Sequence, residues 1–355
     1  MNIQHLNYCG YRNLQPGELV PENTINVIFG KNAQGKTNLL EAMWLFTGGR
    51  SFRGSKDVDL IAYEKQRAEL NLSFFSEERE QTAQIIIENA RRSAILNGIP
   101  KKSTSELIGK FCAVLFSPEH LSLVRDGPSF RRNFIDSALC QIRPSYAMLI
   151  SHYNHTLIQR NALLKDIPRH AELTDTLEIW DEKLTKYGEE IIRGRIKYID
   201  QIRESVKTIY SGICENKEKL ELSYQKSTDN LGQALKDARR GDIYCGHTSI
   251  GPHRDDLDLF IDSQSARVFG SQGQKRSVVL ALKLAEAEAL RKQTGEKPVI
   301  FLDDVMSELD SGRQDYLLNH LNDCQVFITC CEPDAAKRLQ AGALFQMDGG
   351  RLVKK

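Results

Sequence analysis

Eight consecutive residues, Gly30-Lys31-Asn32-Ala33-Gln34-Gly35-Lys36-Thr37, satisfy the pattern G-x-x-x-x-G-K-[ST]. Glycines at such positions let backbone N–H groups turn inward around phosphate oxygens, Lys36 reaches the β and γ phosphates, and Thr37 offers its hydroxyl to Mg²⁺. A helix starting here aims the positive end of its dipole at the same anion. The chemistry implied is binding of a nucleoside triphosphate, ATP in the simplest case. The second half of such a site is an apolar strand tipped by an acid, and Val299-Ile300-Phe301-Leu302-Asp303-Asp304 is one. Asp303 is placed for the Mg²⁺ shell and Asp304 to polarise an attacking water. The same pair would also serve as a helix N-cap followed by a solvent-facing acid.

Those residues need elements to hold them. The apolar run at residues 25–29 predicts a strand leading into the loop, and residues 37–46 a helix leading out. Residues 70–75 and 85–88 alternate as strands, and 113–116 read as a short buried one. Residues 93–96 followed by Asn97-Gly98 predict a tight hairpin, since Asn-Gly supplies positive φ at both turn positions. From about Leu121 to Lys236 strand signal is weak. Tyr146, Leu149, Tyr153, Leu157 and Leu164 recur at helical spacing, and a second series from Leu177 through Tyr198 to Ile209 predicts a long helix. Unbroken to Ile213 it would span about 55 Å, although Gly188 and Gly194 argue against continuity. Strands are expected again at 257–261, 298–302, 325–329 and 344–347, with a helix at 272–292 and helices between the later strands. The expected fold is α/β: a P-loop head built from residues 1–118 and 241–355, interrupted by a mainly helical domain at 119–240.

Composition narrows the class without naming it. Of 355 residues, 41% are hydrophobic and 27% charged, the balance of an ordinary globular protein. With 48 basic and 47 acidic side chains the formal charge is +1, so any surface for nucleic acid must be local. The eight cysteines form no C-x-x-C pair, which predicts reduced thiols rather than zinc or disulfides. No run approaches 18 apolar residues and no signal pattern opens the chain, so a cytoplasmic protein with no membrane partner is expected.

Order along the chain discriminates among P-loop classes. Asp303 lies 267 residues beyond Lys36, too far for a compact GTPase-like domain. Between them Ser271-Gln272-Gly273-Gln274 opens a helix and resembles the signature loop of ABC-type ATPases, while the stretch from Ser307 to Asp310 resembles their D-loop. By itself a serine and a glycine ahead of a helix are ordinary capping residues. The resemblance implies that the signature acts in trans, completing the γ-phosphate site of a partner subunit in an ATP-dependent homodimer.

Further segments resemble the RecF family of bacterial recombination-mediator and DNA-repair ATPases, relatives of the SMC proteins. They include Tyr11-Arg12-Asn13-Leu14, Gly30 through Ala42, Ser51-Phe52-Arg53, Phe116-Ser117-Pro118-Glu119, Arg131 through Asp136, Gln159 through Lys165, Gly251-Pro252-His253-Arg254-Asp255-Asp256-Leu257 and Phe301 through Asp310. The resemblance implies an ATP- and Mg²⁺-dependent protein on single-stranded or gapped duplex DNA, with RecR and RecO as partners, and places Arg12 and Asn13 beside the nucleotide base. Three departures stand out. Ala33 sits where the family usually has glycine, Thr329-Cys330-Cys331 replaces the histidine that transporters place after their last core strand, and Asp304 stands where most ABC proteins carry glutamate. The shorter carboxylate suits slow, switch-like hydrolysis.

Two other readings compete. A transporter ATPase subunit is disfavoured by the missing histidine and the large insertion. A short SMC-like structural ATPase needs coiled-coil arms that the middle segment does not supply. Arg53, Lys56, Arg131, Arg132, Arg193, Arg195 and Lys197 are candidate DNA phosphate contacts, although each reads more readily as a solvated surface charge. Residues 251–257 read either as a buried ion network supporting the signature loop or as a partner contact.

Overall fold

The computed structural model describes residues 1–331 and 342–355. The helix expected after residue 329 falls largely on residues 332–341, outside the described residues. The chain divides into two compact units: Met1–Leu121 with Thr208–Lys217 and Arg276–Lys355, and Ser122–Lys207 with Glu218–Lys275.

Two six-stranded sheets build the first unit. One is antiparallel, formed by β1 (Asn2–Cys9), β2 (Gly17–Leu19), β4 (Arg67–Ser76), β5 (Arg79–Glu88), β6 (Arg91–Leu96) and β7 (Ile99–Lys101) in the order β2-β1-β4-β5-β6-β7. Its strands alternate buried and exposed residues, as a sheet covered on one face must. Asn97 and Gly98, with φ of 51° and 76°, make the β6–β7 turn that their sequence predicts.

The other sheet carries the chemistry. Its strands are β3 (Ile25–Phe29), β8 (Ala113–Phe116), β12 (Val299–Asp303), β13 (Val326–Cys330), β14 (Ala343–Asp348) and β15 (Arg351–Lys354), ordered β15-β14-β3-β13-β12-β8. All are parallel except β15, which returns antiparallel along β14. Strands buried on both faces read as continuous apolar runs, and Ile28, Phe301, Leu302, Phe327 and Ile328 are fully buried. Each such side chain contributes about 1.5–3 kcal/mol. The one polar residue in β3, Asn26, is also buried. Its amide closes a local turn, donating to Glu22 O at 2.8 Å and accepting from Glu22 N at 2.8 Å. Gln325, also buried, bridges to β1 by accepting from Ile3 N at 2.7 Å and donating to Ile3 O at 2.9 Å. Helices α1 (Lys36–Trp44), α8 (Gln272–Thr294) and α9 (Ser311–Leu321) follow β3, precede β12 and follow β12 in the chain.

In the second unit, α2 (Ser122–Arg125), α3 (Pro128–Ile142), α4 (Ser145–Asp166), α6 (Leu231–Cys245) and α7 (Ala266–Phe269) accompany most of α5 (Leu177–Ile213). Helix α5 runs unbroken through both glycines because they are packing sites. A Cβ on Gly188 would lie 2.4 Å from Leu231, and one on Gly194 3.1 Å from Tyr146. The unit also holds a small antiparallel sheet of β9 (Leu220–Gln225), β10 (Asp256–Ile261) and β11 (Gln264–Ser265), and β9 lies where strand signal is weak. Because β9 pairs with β10, residues 241–275 group with the helices, whereas the sequence reading places its junction at 240/241.

Buried ion pairs knit this unit. Arg131 forks onto Asp256 at 2.7 and 3.0 Å, and Arg195 onto Asp136 at 2.9 and 2.8 Å. Both arginines are 4% exposed, so they leave the set of candidate DNA contacts; Arg132, half-buried, donates to Asp255 O at 2.7 Å. The string at 251–257 turns inward likewise: Asp255 accepts from Tyr224 OH at 2.6 Å and Ser227 N at 2.8 Å, and His253 Nδ1 meets Tyr153 OH at 2.7 Å. These contacts make the string part of a buried hydrogen-bond network. Burial lowers the His253 pKa, favouring the neutral ring. Arg160, fully buried, holds Asp181 and Asp242 at 2.7 Å each, and Thr248 at 2.8 Å. Arg160→Ala deprives two buried carboxylates of the cation they share, leaving Asp181 with Arg239 and Asp242 with the N–H and hydroxyl of Ser249. Such losses cost about 3–5 kcal/mol. The urea midpoint of this variant should fall accordingly, and an unchanged midpoint would show that the network is not what holds the unit.

Candidate nucleotide site

The phosphate-type loop leaves β3 at Phe29 and enters α1 at Lys36. Gly30 is pressed against β14, where a Cβ would sit 2.2 Å from Met347 O, and a Cβ on Gly35 would sit 2.9 Å from Asn13 Oδ1. Gly35 takes φ 109° and Ala33 φ 65°. Ala33 therefore adopts the left-handed conformation that glycine tolerates freely and alanine at a cost of about 1–2 kcal/mol. The first turn of α1 holds no acidic residue and no side-chain cap, which leaves its amides and dipole available to an anion.

Lys36 Nζ lies back along the loop, donating to Gly30 O at 2.6 Å and Lys31 O at 2.9 Å. Thr37 Oγ1 donates to Asp303 Oδ1 at 2.9 Å. The two residues are brought together by register: Asp303 on β12 pairs with Thr329 on β13, and Cys330 pairs with Phe29 on β3, so the three strands end at one level. Thr329 Oγ1 donates to the same Asp303 oxygen at 2.8 Å. Burial raises the Asp303 pKa, with the two threonine hydroxyls opposing the shift. A divalent cation beside the carboxylate would relieve that cost. One hydroxyl and one carboxylate are hard oxygen donors of the kind Mg²⁺ takes, the rest of its shell coming from phosphates and water.

Asp304 follows with φ 53°, a strained conformation for a residue with a Cβ. It is held on both sides: its N–H donates to Thr329 Oγ1 at 2.9 Å, and Ser307 Oγ donates to its carbonyl at 2.8 Å and reaches its carboxylate at 3.3 Å. The side chain is half-buried. Glu308 faces Arg276 at 3.5 Å, and Asp310 caps α9 by accepting from Arg313 N at 3.0 Å.

Arg12 and Asn13, at the turn after β1, divide their work. The Arg12 guanidinium is fixed in plane by buried Glu41 and by Ser55 Oγ at 2.8 Å. Asn13 Nδ2 touches the loop itself, donating to Ala33 O at 3.2 Å. Ser271 and Gln274 cap each other reciprocally: Gln274 N donates to Ser271 Oγ at 3.2 Å and Ser271 N to Gln274 Oε1 at 2.7 Å. Gln274 also donates to Glu218 at 2.8 Å, while Ser271 and Gln272 are exposed and Gly273 half-buried. This loop belongs to the second unit and the phosphate loop to the first.

Several contributors are invisible in the motifs. Thr329 is buried and shared between the two aspartates, where the sequence singles out its segment only for a missing histidine. The Cys331 thiol donates to Asn32 Oδ1 at 3.0 Å. Glu41 collects Tyr11, Arg12 and Ser51; its only sequence signal is that all four fall within the family-like segments.

Comparison with known proteins shows the family. The model of the RecF/RecN/SMC N-terminal domain matches residues 2–349. The DNA replication and repair protein RecF of Agathobacter rectalis is 39% identical over 99% of both chains, and that of Clostridium acetobutylicum 37% identical over the whole of both. A solved structure described as the recombination mediator protein RecF-ATP in the RecFOR pathway superimposes with a TM-score of 0.94, at 36% identity, over 99% of this chain and 97% of that one. An Smc head domain from Pyrococcus furiosus shares the fold with a TM-score of 0.57 at 16% identity, over 99% of this chain and 96% of that one. The chain belongs to the RecF/RecN/SMC N-terminal domain family of ABC-type ATPase heads, and within it to the RecF proteins.

Proposed function

We infer that this protein is an ATP-dependent DNA-binding ATPase of recombinational repair and replication, in which ATP closes a head-to-head homodimer on DNA and slow hydrolysis releases it. The observation that carries the reading is the 2.9 Å contact between Thr37 and Asp303, which joins the phosphate loop to the acid-tipped strand as a Mg²⁺-nucleotide site requires. In this reading the amides from Lys31 to Thr37 and the Lys36 ammonium hold the phosphates, and Thr37 and Asp303 hold Mg²⁺. Arg12 and Asn13 line the base side, Arg12 with its guanidinium plane already set by Glu41. Bound Mg²⁺ supplies charge neutralisation at the phosphates.

Asp304 takes the role of base toward the attacking water. Its backbone is fixed by Thr329 and Ser307 while its carboxylate stays partly accessible. Ser271, Gln272, Gly273 and Gln274 act in trans, their exposed cap offered to a second copy, with Ser307 and Asp310 of the D-loop at the same interface. Exposed Arg53, Lys56, Arg193 and Lys197 remain the candidate phosphate contacts for DNA. RecR and RecO are the partners expected of a protein whose structural neighbour is named for the RecFOR pathway. No described helix is long and apolar enough to cross a membrane, and the transporter reading finds no support.

Asp304→Asn should keep ATP and Mg²⁺ bound while hydrolysis falls by about 10²–10⁴-fold, the usual worth of a general base. Normal turnover in this variant would move the base elsewhere, with Glu308 next in line.

Ser271→Arg separates the trans reading from a cis one. It should leave ATP binding by the monomer intact but abolish dimerisation and hydrolysis, because a bulky cation enters the joint between subunits. Mixing it with Lys36→Ala should restore part of the activity, since one of the two composite sites then has both an intact phosphate loop and an intact signature. Loss of ATP binding in the Ser271→Arg monomer would place the loop in cis and overturn the dimer reading.

A further inference from the structure

A loop that turns its amides inward must turn its carbonyls outward, and each of those needs a donor from elsewhere. Every carbonyl from Gly30 to Gly35 has one. Lys36 Nζ covers Gly30 and Lys31, Gln34 Nε2 reaches Asn32 O at 3.4 Å, and Leu39 N covers Gly35 O at 3.0 Å within α1. The remaining two are covered from outside the loop. Asn13 donates to Ala33 O at 3.2 Å, and Gly350 N, in the turn between β14 and β15, donates to Gln34 O at 3.0 Å. The same turn takes hold of the Gln34 side chain, Gly349 N donating to its Oε1 at 2.5 Å.

The two outside donors are themselves joined. Gln15 N donates to Gly350 O at 2.9 Å and Gln15 Nε2 to Gly349 O at 3.2 Å. Gly350 has φ 80°, and a Cβ there would sit 2.0 Å from Asn13 O, so only glycine allows the turns to meet. We propose that the turn at Gly349 and Gly350 is a positioning element of the nucleotide site: clasped to the turn at Asn13 and Gln15, it holds the outward carbonyls of Ala33 and Gln34 and so preorganises the inward amides for phosphate. The proposal rests on the ATP-site reading above, and assigns the β14–β15 hairpin a part in affinity although it carries no residue of the G-x-x-x-x-G-K-[ST] motif. Preorganised donors need no rearrangement when the anion arrives, so loosening the clasp should weaken binding rather than slow the chemical step.

The test compares Gly350→Ala with Gly98→Ala. Gly98 also sits at positive φ in a hairpin turn, but a Cβ there meets nothing within 4 Å. Two readouts are taken in the full chain: amide hydrogen exchange of residues 31–35 without nucleotide, and ATP affinity and turnover by calorimetry and steady-state kinetics. Gly350→Ala should speed exchange in the loop and weaken ATP binding about tenfold, which is about 1.4 kcal/mol, raising KM with kcat at saturation nearly kept. Gly98→Ala should do neither. Should Gly350→Ala not fold, Gln15→Met removes the side-chain donor to Gly349 O that joins the two turns, without altering the loop, and is read by the same two measurements. Unchanged loop exchange in the folded variant overturns the proposal, as does faster exchange with undiminished affinity. Faster loop exchange in Gly350→Ala combined with no ATP binding by the unaltered protein would count against the ATP-site reading and not against the clasp.

Discussion

One oxygen of the Asp303 carboxylate accepts two hydroxyls, Thr37 from the helix after the loop and Thr329 from the neighbouring strand, and the rest of the site hangs from that point. It exists because β3, β13 and β12 lie side by side, parallel and in register, so that three apolar strands end together. A slip of one residue in any of them would turn the carboxylate to the other face of the sheet. The full burial of Val27, Ile28, Phe301, Leu302, Phe327 and Ile328 is what forbids the slip. Packing energy in the core is thus converted into the placement of one polar contact at its edge.

The same level edge explains the strain beside it. Asp304 leaves β12 in a left-handed conformation, and Thr329 supplies the acceptor that secures its amide. Ala33 stores a second strain within the loop itself. In both cases hydrogen bonds from fixed neighbours over-determine the conformation, which is the usual circumstance in which strained residues persist at working sites. The C-terminal end of the chain contributes as well, since β14 pairs with β3, β15 pairs with β14, and the turn between them hydrogen-bonds to the loop.

Much of this was legible in the sequence, and the reason is locality. The loop, the acid-tipped strand and the signature-like cap are each encoded within a few residues whose types have one economical use. Buried parallel strands announce themselves as apolar runs, so β3, β8, β12 and β13 appear within a residue or so of their expected bounds. What stayed hidden depends on partners far along the chain. Arg131 and Arg195 look like any surface arginine until Asp256 and Asp136 are folded against them. Strand β9 alternates too briefly to stand out amid helices, and only β10 makes it a strand. Gly188 and Gly194 read as helix breakers because close packing against Leu231 and Tyr146 has no local signal.

Closure of two heads into a pair is the step we assign to ATP. The most direct measurement is the protein's mass in solution by light scattering, with and without ATP and Mg²⁺, at a concentration where calorimetry shows the nucleotide bound. A single chain of 40.3 kDa is expected without nucleotide and a doubled mass with ATP, the pair stabilised further by DNA and lost again as ATP is hydrolysed. A chain that binds ATP to saturation and remains a monomer, with DNA and without it, would contradict that assignment.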